Sequence, residues 1–347
     1  MAAHAVEALR PIQRRLEEEG VGVHTFPIVP AKSRKAERWG VSPALAAWVI
    51  RNATSYNIVH LHGAWGLPSV AAAVGARRVG AASVMSPHES LTAYDVYRPG
   101  NYFRILSKIG LKAFYLQRLA LIVFASELEA RDTLGGATRP EAVVVHHPLG
   151  SAFEAAPAPV SRSAGPLVVG YLGRLHPKKN LEALIAAVAK ASEEAKLLIA
   201  GTGDKGYVDK LARLAVKVGM AERMEWLGFV PGDQRWPFFD GLDIFAMPSH
   251  YEGFGMAGAE AMARGVPTIV SQSTGLGEII QRHASGLIAA PTTDGFAEAI
   301  KSLDRDRGFL EALKVRSLSI ARLELSMEQY AEKVVPYYKG LVGCELC

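Results

Sequence analysis

Residues 242–271 read LDIFAMPSHYEGFGMAGAEAMARGVPTIVS, and this stretch decides the fold. The apolar run Leu242 to Met247 predicts a strand, and a loop from Ser249 to Gly255 follows it. Met256 to Arg264 has helical composition, and Val266 to Val270 is a second apolar run. Strand, loop, helix and strand in this order make a βαβ unit. Ligands of parallel sheets bind at the carboxyl ends of the strands, where this loop lies.

The loop of this unit suits a phosphate or a polar sugar. Gly253 and Gly255 let the backbone approach a ligand closely, and the free N–H groups at the helix start add positive potential. Glu252 lies on the loop and Glu260 inside the helix, so the two carboxylates reach different parts of one extended ligand. Taken singly, each also has an ordinary interpretation, as a charge near a helix N-terminus or as a solvated helix side chain.

Composition indicates a globular enzyme with two α/β domains. The chain has 347 residues, of which 49% are hydrophobic and 21% charged. Its apolar runs fall short of the ~20 residues of a membrane-spanning helix, and no apolar segment follows a basic start at the N-terminus. These features favour a cytoplasmic location. Cys344 and Cys347 end the chain as C-E-L-C, which predicts a disordered tail rather than a zinc site or a disulfide framework.

Outside the opening stretch, strands alternate with helices along the whole chain, which predicts doubly wound parallel sheets. The further strands are predicted at Val21 to Phe26, Asn57 to His62, Ala82 to Ser86, Leu121 to Ala125, Ala142 to His146, Leu167 to Leu172, Lys196 to Ala200, Met224 to Leu227 and Gly286 to Ala289. Helices are predicted from Ala3 to Glu19, from Ser42-Pro43 onward and from Ser326 to Leu341. Ser126 begins a capping box, and Asn180 is the expected N-cap of another helix.

An Ala/Pro-rich segment at 151–165 predicts a linker between two domains. The first domain then spans residues 1–150 and the second residues 166–325. Residues 326–347 form the last helix and the tail.

The first loop of the second domain carries Arg174 and Lys179 in the pattern G-R-L-x-x-x-K, which begins at Gly173. Two permanent cations beside a helix N-terminus can stabilise a departing diphosphate, which would make a metal ion dispensable. The chain has no D-x-D pair, and its histidines form no obvious metal site with carboxylates, so no metal or other cofactor is expected. A solvated basic loop is the alternative interpretation.

The string E-G-F-G-M-A-G-A-E behind a Pro-Ser step, preceded by G-R-L-x-x-x-K, resembles the retaining glycosyltransferases of family four, the glycosyl transferases group one. This resemblance spans nearly the whole chain. It implies the GT-B fold, in which two Rossmann-like doubly wound domains face each other across a cleft, and a last helix that crosses back to the first domain.

The resemblance also implies roles for single residues. Arg174 and Lys179 would hold the donor diphosphate and Glu260 the ribose hydroxyls. Glu252 and the backbone N–H groups after it would hold the donor sugar, and the base would lie near Phe229 and Val230. The donor-binding set is therefore Gly173, Arg174, Lys179, Phe229, Val230, Glu252, Gly253, Phe254, Gly255 and Glu260. The catalytic set is His88, Arg174, Lys179 and Glu252.

In the first domain, Pro-His-Glu-Ser-Leu resembles the family's Pro-His-Gly segment, with Glu89 in place of the usual glycine. The histidine of that segment approaches the donor sugar and the acceptor, so His88 and His62 are the predicted acceptor-binding residues. Glu89 adds a side chain and a charge near the reaction centre, which leaves the acceptor preference open. A structural histidine is the alternative for His88.

The stretch 97–118 is basic and contains no acidic residue; Arg104, Lys108 and Lys112 share one helix face. It predicts either a peripheral contact with the inner membrane face, through which a lipid-linked acceptor is reached, or a core-packed helix with a solvated basic face. No nucleic-acid partner is expected, because that would need a wider basic surface.

Together these features predict a retaining, nucleotide-sugar-dependent hexosyltransferase acting on a glycan or lipid-linked acceptor in surface polysaccharide biosynthesis. The alternatives are a nucleotide-binding GT-B relative that has lost turnover and acts as a scaffold, and a GT-B sugar-nucleotide epimerase. Family members open with a strand and a glycine loop, whereas this sequence reaches its first predicted helix almost at once. The N-terminus is therefore expected to be shortened, unless Val21 to Phe26 takes the place of that strand.

Overall fold

The computed structural model describes residues 13–14, 16–29, 40–97, 102–137, 140–150 and 165–343. Within these ranges the chain forms two parallel sheets, one from residues 58–144 and one from residues 168–289. The two-sheet α/β architecture predicted from the alternating pattern is confirmed. The predicted linker lies outside the described residues except for Gly165, and the domain boundaries stay a prediction.

The first sheet has the strand order β1-β2-β3-β4, with all pairs parallel. Its strands are β1 (Ile58–His62), β2 (Ala82–Ser86), β3 (Leu121–Phe124) and β4 (Glu141–Val144). Its helices are α1 (Pro43–Asn52), α2 (Leu67–Val79), α3 (Ala93–Val96), α4 (Tyr102–Leu116) and α5 (Glu127–Leu134). The Ser126 hydroxyl accepts from the N–H of Glu129, as a capping box requires at the start of α5.

The second sheet has the order β10-β9-β8-β5-β6-β7, again all parallel. Its strands are β5 (Val168–Leu172), β6 (Lys196–Ala200), β7 (Met224–Gly228), β8 (Ile244–Met247), β9 (Thr268–Ser271) and β10 (Gly286–Ala289). The order reverses between β5 and β8, so a crevice opens at their carboxyl ends.

Helices α6 (Leu181–Ala191), α7 (Lys205–Lys217), α8 (Arg235–Asp240), α9 (Met256–Ala263), α10 (Gly277–His283), α11 (Thr293–Arg305) and α12 (Arg307–Leu325) accompany this sheet. They enclose two apolar clusters, one containing Tyr171 and Phe296 and the other Phe245 and Met262, all buried. Every residue of β8 is buried, as its continuous apolar run predicts for a strand inside a parallel sheet.

The last helix, α13 (Met327–Val342), returns to the first sheet. Val334 is buried against Val84, Leu121 and Val123, and the Tyr338 hydroxyl lies 2.5 Å from Nδ1 of His60. This helix therefore packs against the first sheet.

One prediction about the first hundred residues is wrong, and another falls largely outside the described residues. Val21 to Phe26 forms no strand; most side chains in residues 21–29 are exposed, and Phe26 packs its ring on Trp48. A strand needs a neighbour to pair with, and in the described residues β1 pairs with β2 alone. The helix predicted from Ala3 to Glu19 is described only from residue 13, where residues 13–14 and 16–18 are helical.

Candidate active site

The loop between β8 and α9 is held in one conformation by its neighbours. Gly255 has a φ of 109°, and a side chain there would lie 3.0 Å from Thr274, so the position needs glycine. Glu252 donates its N–H to Ser273 and accepts at its carbonyl from the N–H of Gly275, at 2.9 and 3.0 Å. The loop that carries Glu252 is therefore fixed against the loop after β9.

The loop after β5 brings the cations to the same place. A Cβ at Gly201 would lie 1.8 Å from the Gly173 carbonyl oxygen, so only glycine allows these two loops to meet. The 3-10 helix Pro177–Lys179 then projects Lys179, whose Nζ forms an ion pair with the carboxylate of Glu252.

Asn180 occupies the predicted N-cap position of α6, but its side chain caps nothing. Its backbone is left-handed, with a φ of 55°, so the amide points away from the helix. The Nδ2 group donates instead to the carbonyls of Pro248 and Pro291, at 3.1 and 2.9 Å. Asn180 thus ties the loop after β5, which carries Arg174 and Lys179, to the loop that carries Glu252.

These loops and the first sheet enclose a cavity of about 470 Å³. It is lined by His88, Glu89, Ala125, Glu129, His147, Tyr171, Leu172, Gly173, Arg174, Lys178, Lys179, Met247, Glu252, Gly253, Phe254, Gly255, Met256, Ala257 and Glu260. A neighbouring cavity of about 330 Å³ shares Gly173 and Arg174 and is lined by Phe229 and Val230. The structure therefore brings the whole predicted donor-binding set to two adjoining cavities.

The lining of the second cavity is largely apolar and suits an aromatic ring. Leu172, Ala200 and Val230 give it apolar walls, and the Phe229 side chain is 73% exposed at its edge. An exposed aromatic face beside an apolar slot can stack on a nucleobase.

Glu260 lines the main cavity and has a charged partner. Its Oε1 is 3.3 Å from the Arg235 guanidinium, which also lies 4.4 Å above the ring of Trp236. Burial raises the pKa of Glu260, and the positive charge of Arg235 opposes that shift.

His88 lines the main cavity from the end of β2, whereas His62 does not reach it. Nδ1 of His62 lies 2.9 Å from Nε2 of His88, and the ring of His147 lies 5.1 Å from that of His88. Behind them, His60 stacks on His62 at 4.5 Å. Four imidazoles therefore form a row from β1 to the cavity.

The row favours neutral imidazoles. Burial lowers the pKa of His62 and of His88, and the nearby His62 adds to the effect at His88. Burial, with like charges along the row, lowers the pKa of His60 and of His147 to about 4. At neutral pH these rings can donate or accept hydrogen bonds without carrying charge.

Several cavity residues were absent from the predicted set, and Lys178, Glu129 and His147 are three charged or titratable ones among them. The sequence contained an indication for two of them. Lys178 neighbours Lys179 in the same loop, and His147 follows a strand of the first sheet as His88 does. Glu129 had none, because its carboxylate turns back to accept from the N–H groups of Ala125 and Glu89, which depends on the packing of two loops.

Several contacts join the two halves at this cavity. Glu89 accepts from the N–H of Gly253 and pairs with Lys178, and the Ser126 hydroxyl donates to the Gly253 carbonyl at 2.6 Å. Below them, the Glu278 carboxylate accepts from the first two N–H groups of α5 at 2.9 and 2.7 Å.

Helix α4 presents only part of the basic face that its sequence suggests: Arg104 is exposed, whereas Lys108 and Lys112 are half-buried. Lys108 pairs with Asp95 and lies 4.7 Å above the ring of Trp65, and burial lowers the pKa of Lys112. Leu106 and Ile109 are the large apolar residues described as exposed on this helix, at 45% and 38% respectively. Arg98 lies outside the described residues.

The described ranges contain neither a metal-binding cluster nor a membrane-spanning helix. No group of three or more histidine, cysteine or acidic residues is arranged to hold a metal ion there. Among the helices described, none combines the length and apolar character needed to cross a membrane.

Comparison with protein families matches both halves of the chain. Residues 153–317 match the model of glycosyl transferases group 1, and residues 2–148 match that of the glycosyl transferase 4-like domain. A 2-deoxystreptamine glucosyltransferase of Streptomyces kanamyceticus is 31% identical over 252 residues, which cover 67% of this chain and 63% of that protein.

An uncharacterized glycosyltransferase of Methanocaldococcus jannaschii is 36% identical over 172 residues, covering 49% of this chain and 44% of that protein. The chain thus spans less than half the length of the first curated relatives it matches. Among solved structures, Anabaena HepE in complex with UDP superposes with a TM-score of 0.75 at 19% identity, covering 94% of this chain and 89% of HepE. This likeness shows the fold, two parallel-sheet α/β halves of the GT-B type.

Proposed function

The chain belongs to the group 1 glycosyltransferases with a GT-B fold, and from this premise we propose that it transfers a hexose from a nucleotide-sugar donor to a glycan or lipid-linked acceptor. The observation that carries the proposal is the convergence of Arg174, Lys179, Glu252 and Glu260 on one cavity beside an apolar slot. A nucleotide sugar has four matching parts. The base suits the apolar cavity, the ribose Glu260, the diphosphate Arg174 and Lys179, and the sugar Glu252.

The cations supply the main chemical effect. Breaking the bond between sugar and phosphate places negative charge on the leaving oxygens, and fixed positive groups stabilise that charge most in a site shielded from water. Lys179 is held by Glu252, and Arg174 lines both cavities, so either can meet a diphosphate between the sugar and the base. We propose that this pair replaces the metal ion used by other transferases.

Retention of configuration is part of the proposal. Glu252 is engaged by Lys179, which makes its carboxylate a poor nucleophile towards the sugar. Departure of the phosphate and attack of the acceptor on the same face of the sugar then need no covalent intermediate, and the leaving phosphate takes the acceptor proton. The protein contributes positioning and charge stabilisation.

On the acceptor side, His88 faces the cavity and His62 supports it through their hydrogen bond. The exposed Leu106 and Ile109 on α4 offer an apolar contact for a membrane surface. We place the enzyme in the cytoplasm at the inner membrane face, in the biosynthesis of a surface polysaccharide. The Streptomyces relative acts on 2-deoxystreptamine, so acceptors differ widely among relatives.

The test begins with calorimetric titration of UDP, GDP and ADP, followed by the sugar nucleotides of whichever binds. Arg174→Ala and Lys179→Ala should each lower turnover on the order of a hundredfold, because each removes charge stabilisation that grows as the phosphate leaves. Lys190→Ala is the matched control, since Lys190 pairs with Asp294 on an exposed surface.

Normal turnover in both Arg174→Ala and Lys179→Ala would contradict the donor site. Tight nucleotide binding without transfer or hydrolysis, against a panel of glycan and lipid-linked acceptors, would favour the scaffold alternative. Inversion of a ring hydroxyl in the recovered sugar nucleotide would favour an epimerase.

A further inference from the structure

Glu89 lies in an unusual backbone conformation beside the donor cavity. His88 and Glu89 are consecutive non-glycine residues with φ values of 49° and 68°, in the region that glycine adopts without cost. Such strain persists only where surrounding contacts hold it, and it concentrates at functional sites. Here the Glu89 N–H donates to Oε1 of Glu129 at 2.6 Å.

The Glu89 carboxylate is fixed by two contacts from the other half of the chain. One oxygen accepts from the N–H of Gly253, and the other pairs with Nζ of Lys178. Lys178 in turn lies 5.3 and 5.4 Å above the rings of Tyr94 and Tyr251, which stack on each other at 4.8 Å. The carboxylate therefore has little freedom to leave the cavity.

Its position matters because Gly253 belongs to the loop proposed to hold the donor sugar. The Gly253 N–H, which a sugar hydroxyl would otherwise use, already donates to Glu89, and a charge-assisted hydrogen bond is about twice as strong as a neutral one. A sugar in this part of the cavity consequently meets the Glu89 carboxylate instead of a bare amide. A carboxylate only accepts hydrogen bonds, so the facing group on the sugar must donate one.

We propose that Glu89 determines donor specificity, so that the site takes neutral or amino sugars and rejects donors whose sugar carries a carboxylate. This inference rests on the proposed function. The reason is electrostatic: a uronic acid would bring a second negative charge towards Glu89, and like charges placed together at an interface oppose binding. Lys178 offers that charge little relief because it is already paired.

The test measures dissociation constants by calorimetry, so it needs no acceptor. UDP, UDP-glucose and UDP-glucuronic acid are titrated into the full chain and into Glu89→Gln and Glu89→Gly. The parent should bind UDP-glucuronic acid roughly a hundredfold more weakly than UDP-glucose, and each variant should narrow this ratio about tenfold or more. Binding of UDP itself should stay within about twofold. Glycine suits the left-handed backbone at this position, so Glu89→Gly should fold.

Glu278→Gln is the matched control. Glu278 also joins the two halves, at the start of α5, but it does not line the cavity. If the ratio of the dissociation constants for UDP-glucuronic acid and UDP-glucose reflects charge in the cavity, Glu278→Gln keeps the parent ratio. If Glu278→Gln changes this ratio as much as Glu89→Gln does, the effect comes from loosening the two halves and the proposal is wrong.

The outcomes also separate this inference from the proposed function. UDP binding with an unchanged ratio in both Glu89 variants overturns the role of Glu89 and leaves the transferase intact. If GDP binds instead of UDP, the same ratio is measured with GDP-mannose and GDP-mannuronic acid. A chain that binds no nucleotide overturns both proposals.

Discussion

Glu260 illustrates how one side chain depends on its partner. Only 12% of its side chain is exposed, which raises the pKa of the carboxyl, and Arg235 opposes that rise from 3.3 Å. Because the Arg235 side chain also lies on Trp236, the pair holds the carboxylate in place at the main cavity. We expect this carboxylate to accept hydrogen bonds from the hydroxyls of a ribose.

Glu260→Gln should therefore weaken nucleotide binding by about 1.5–3 kcal/mol, because it replaces a charged acceptor with a neutral one. The measurement is calorimetry with UDP and 2′-deoxy-UDP, or with the guanosine pair if GDP is the ligand. The parent should discriminate against the deoxy compound, and the variant should lose most of that discrimination. Equal discrimination by both proteins would show that Glu260 does not hold the ribose.

Among the elements, the side-chain packing against β5 depends on a residue without a side chain. Gly170 lies in the middle of β5, and a Cβ built there would be 2.2 Å from Cδ1 of the buried Leu242, the residue that leads into β8. Because Gly170 has no side chain, Leu242 can fill the space beside β5, the strand whose following loop carries Arg174 and Lys179.

Gly170→Ala should lower the free energy of unfolding by about 1–3 kcal/mol, the usual cost of overpacking a core. Urea denaturation monitored by circular dichroism measures the change. Gly110→Ala is the control: Gly110 lies in α4 with nothing within 4 Å of a built Cβ, so alanine there should stabilise by about 0.5–1 kcal/mol. Equal stability of Gly170→Ala and the parent would mean that Leu242 moves aside without cost.

The histidine row connects parts that are distant along the whole chain. Tyr338 of the last helix bonds to His60, His62 bonds to His88, and the ring of His147 lies 5.6 Å from that of Phe254 in the second half. Protonation of this row would place positive charges side by side in a poorly solvated interface. The closed arrangement of the two halves should therefore depend on pH.

Stability should fall as the pH drops from about 6.5 towards 4. Folding lowers the pKa of His60 and His147 from 6.5 to about 4, so between these values the unfolded chain binds more protons than the folded one. Above pH 6.5 both imidazoles are neutral in the folded and in the unfolded chain, so the full stability is present. Thermal unfolding between pH 7 and 4.5 measures the slope, and a His60→Gln, His147→Asn double variant should flatten it.

His250→Asn serves as the control for that experiment, because His250 is exposed and should leave the slope unchanged. Carboxylates also take up protons in this range, which is why the difference between variants is the decisive quantity. A parent and double variant with parallel slopes would show that the row does not govern acid stability.

The sequence by itself determined most of the fold. Runs such as Ala82 to Ser86 and Lys196 to Ala200 became strands with the predicted ends, and Ser126 caps its helix as predicted. These outcomes follow from interactions between residues a few positions apart, which a pattern in the chain records directly. Val21 to Phe26 failed as a strand because pairing needs a neighbour that no local pattern specifies.

For the candidate site, the motifs placed Arg174, Lys179 and Glu252 in loops that follow strands and Glu260 in the helix after one of those loops; the ends of parallel strands share one edge of a sheet. Only the tertiary structure decided how these side chains are paired and what faces them. Glu89 binds the N–H of Gly253, 164 positions away, and Lys179 pairs with Glu252, 73 positions away. Contacts of this kind depend on how two separately formed halves meet, and the energy that fixes them comes from burial and charge in the assembled cavity rather than from any property of a local segment.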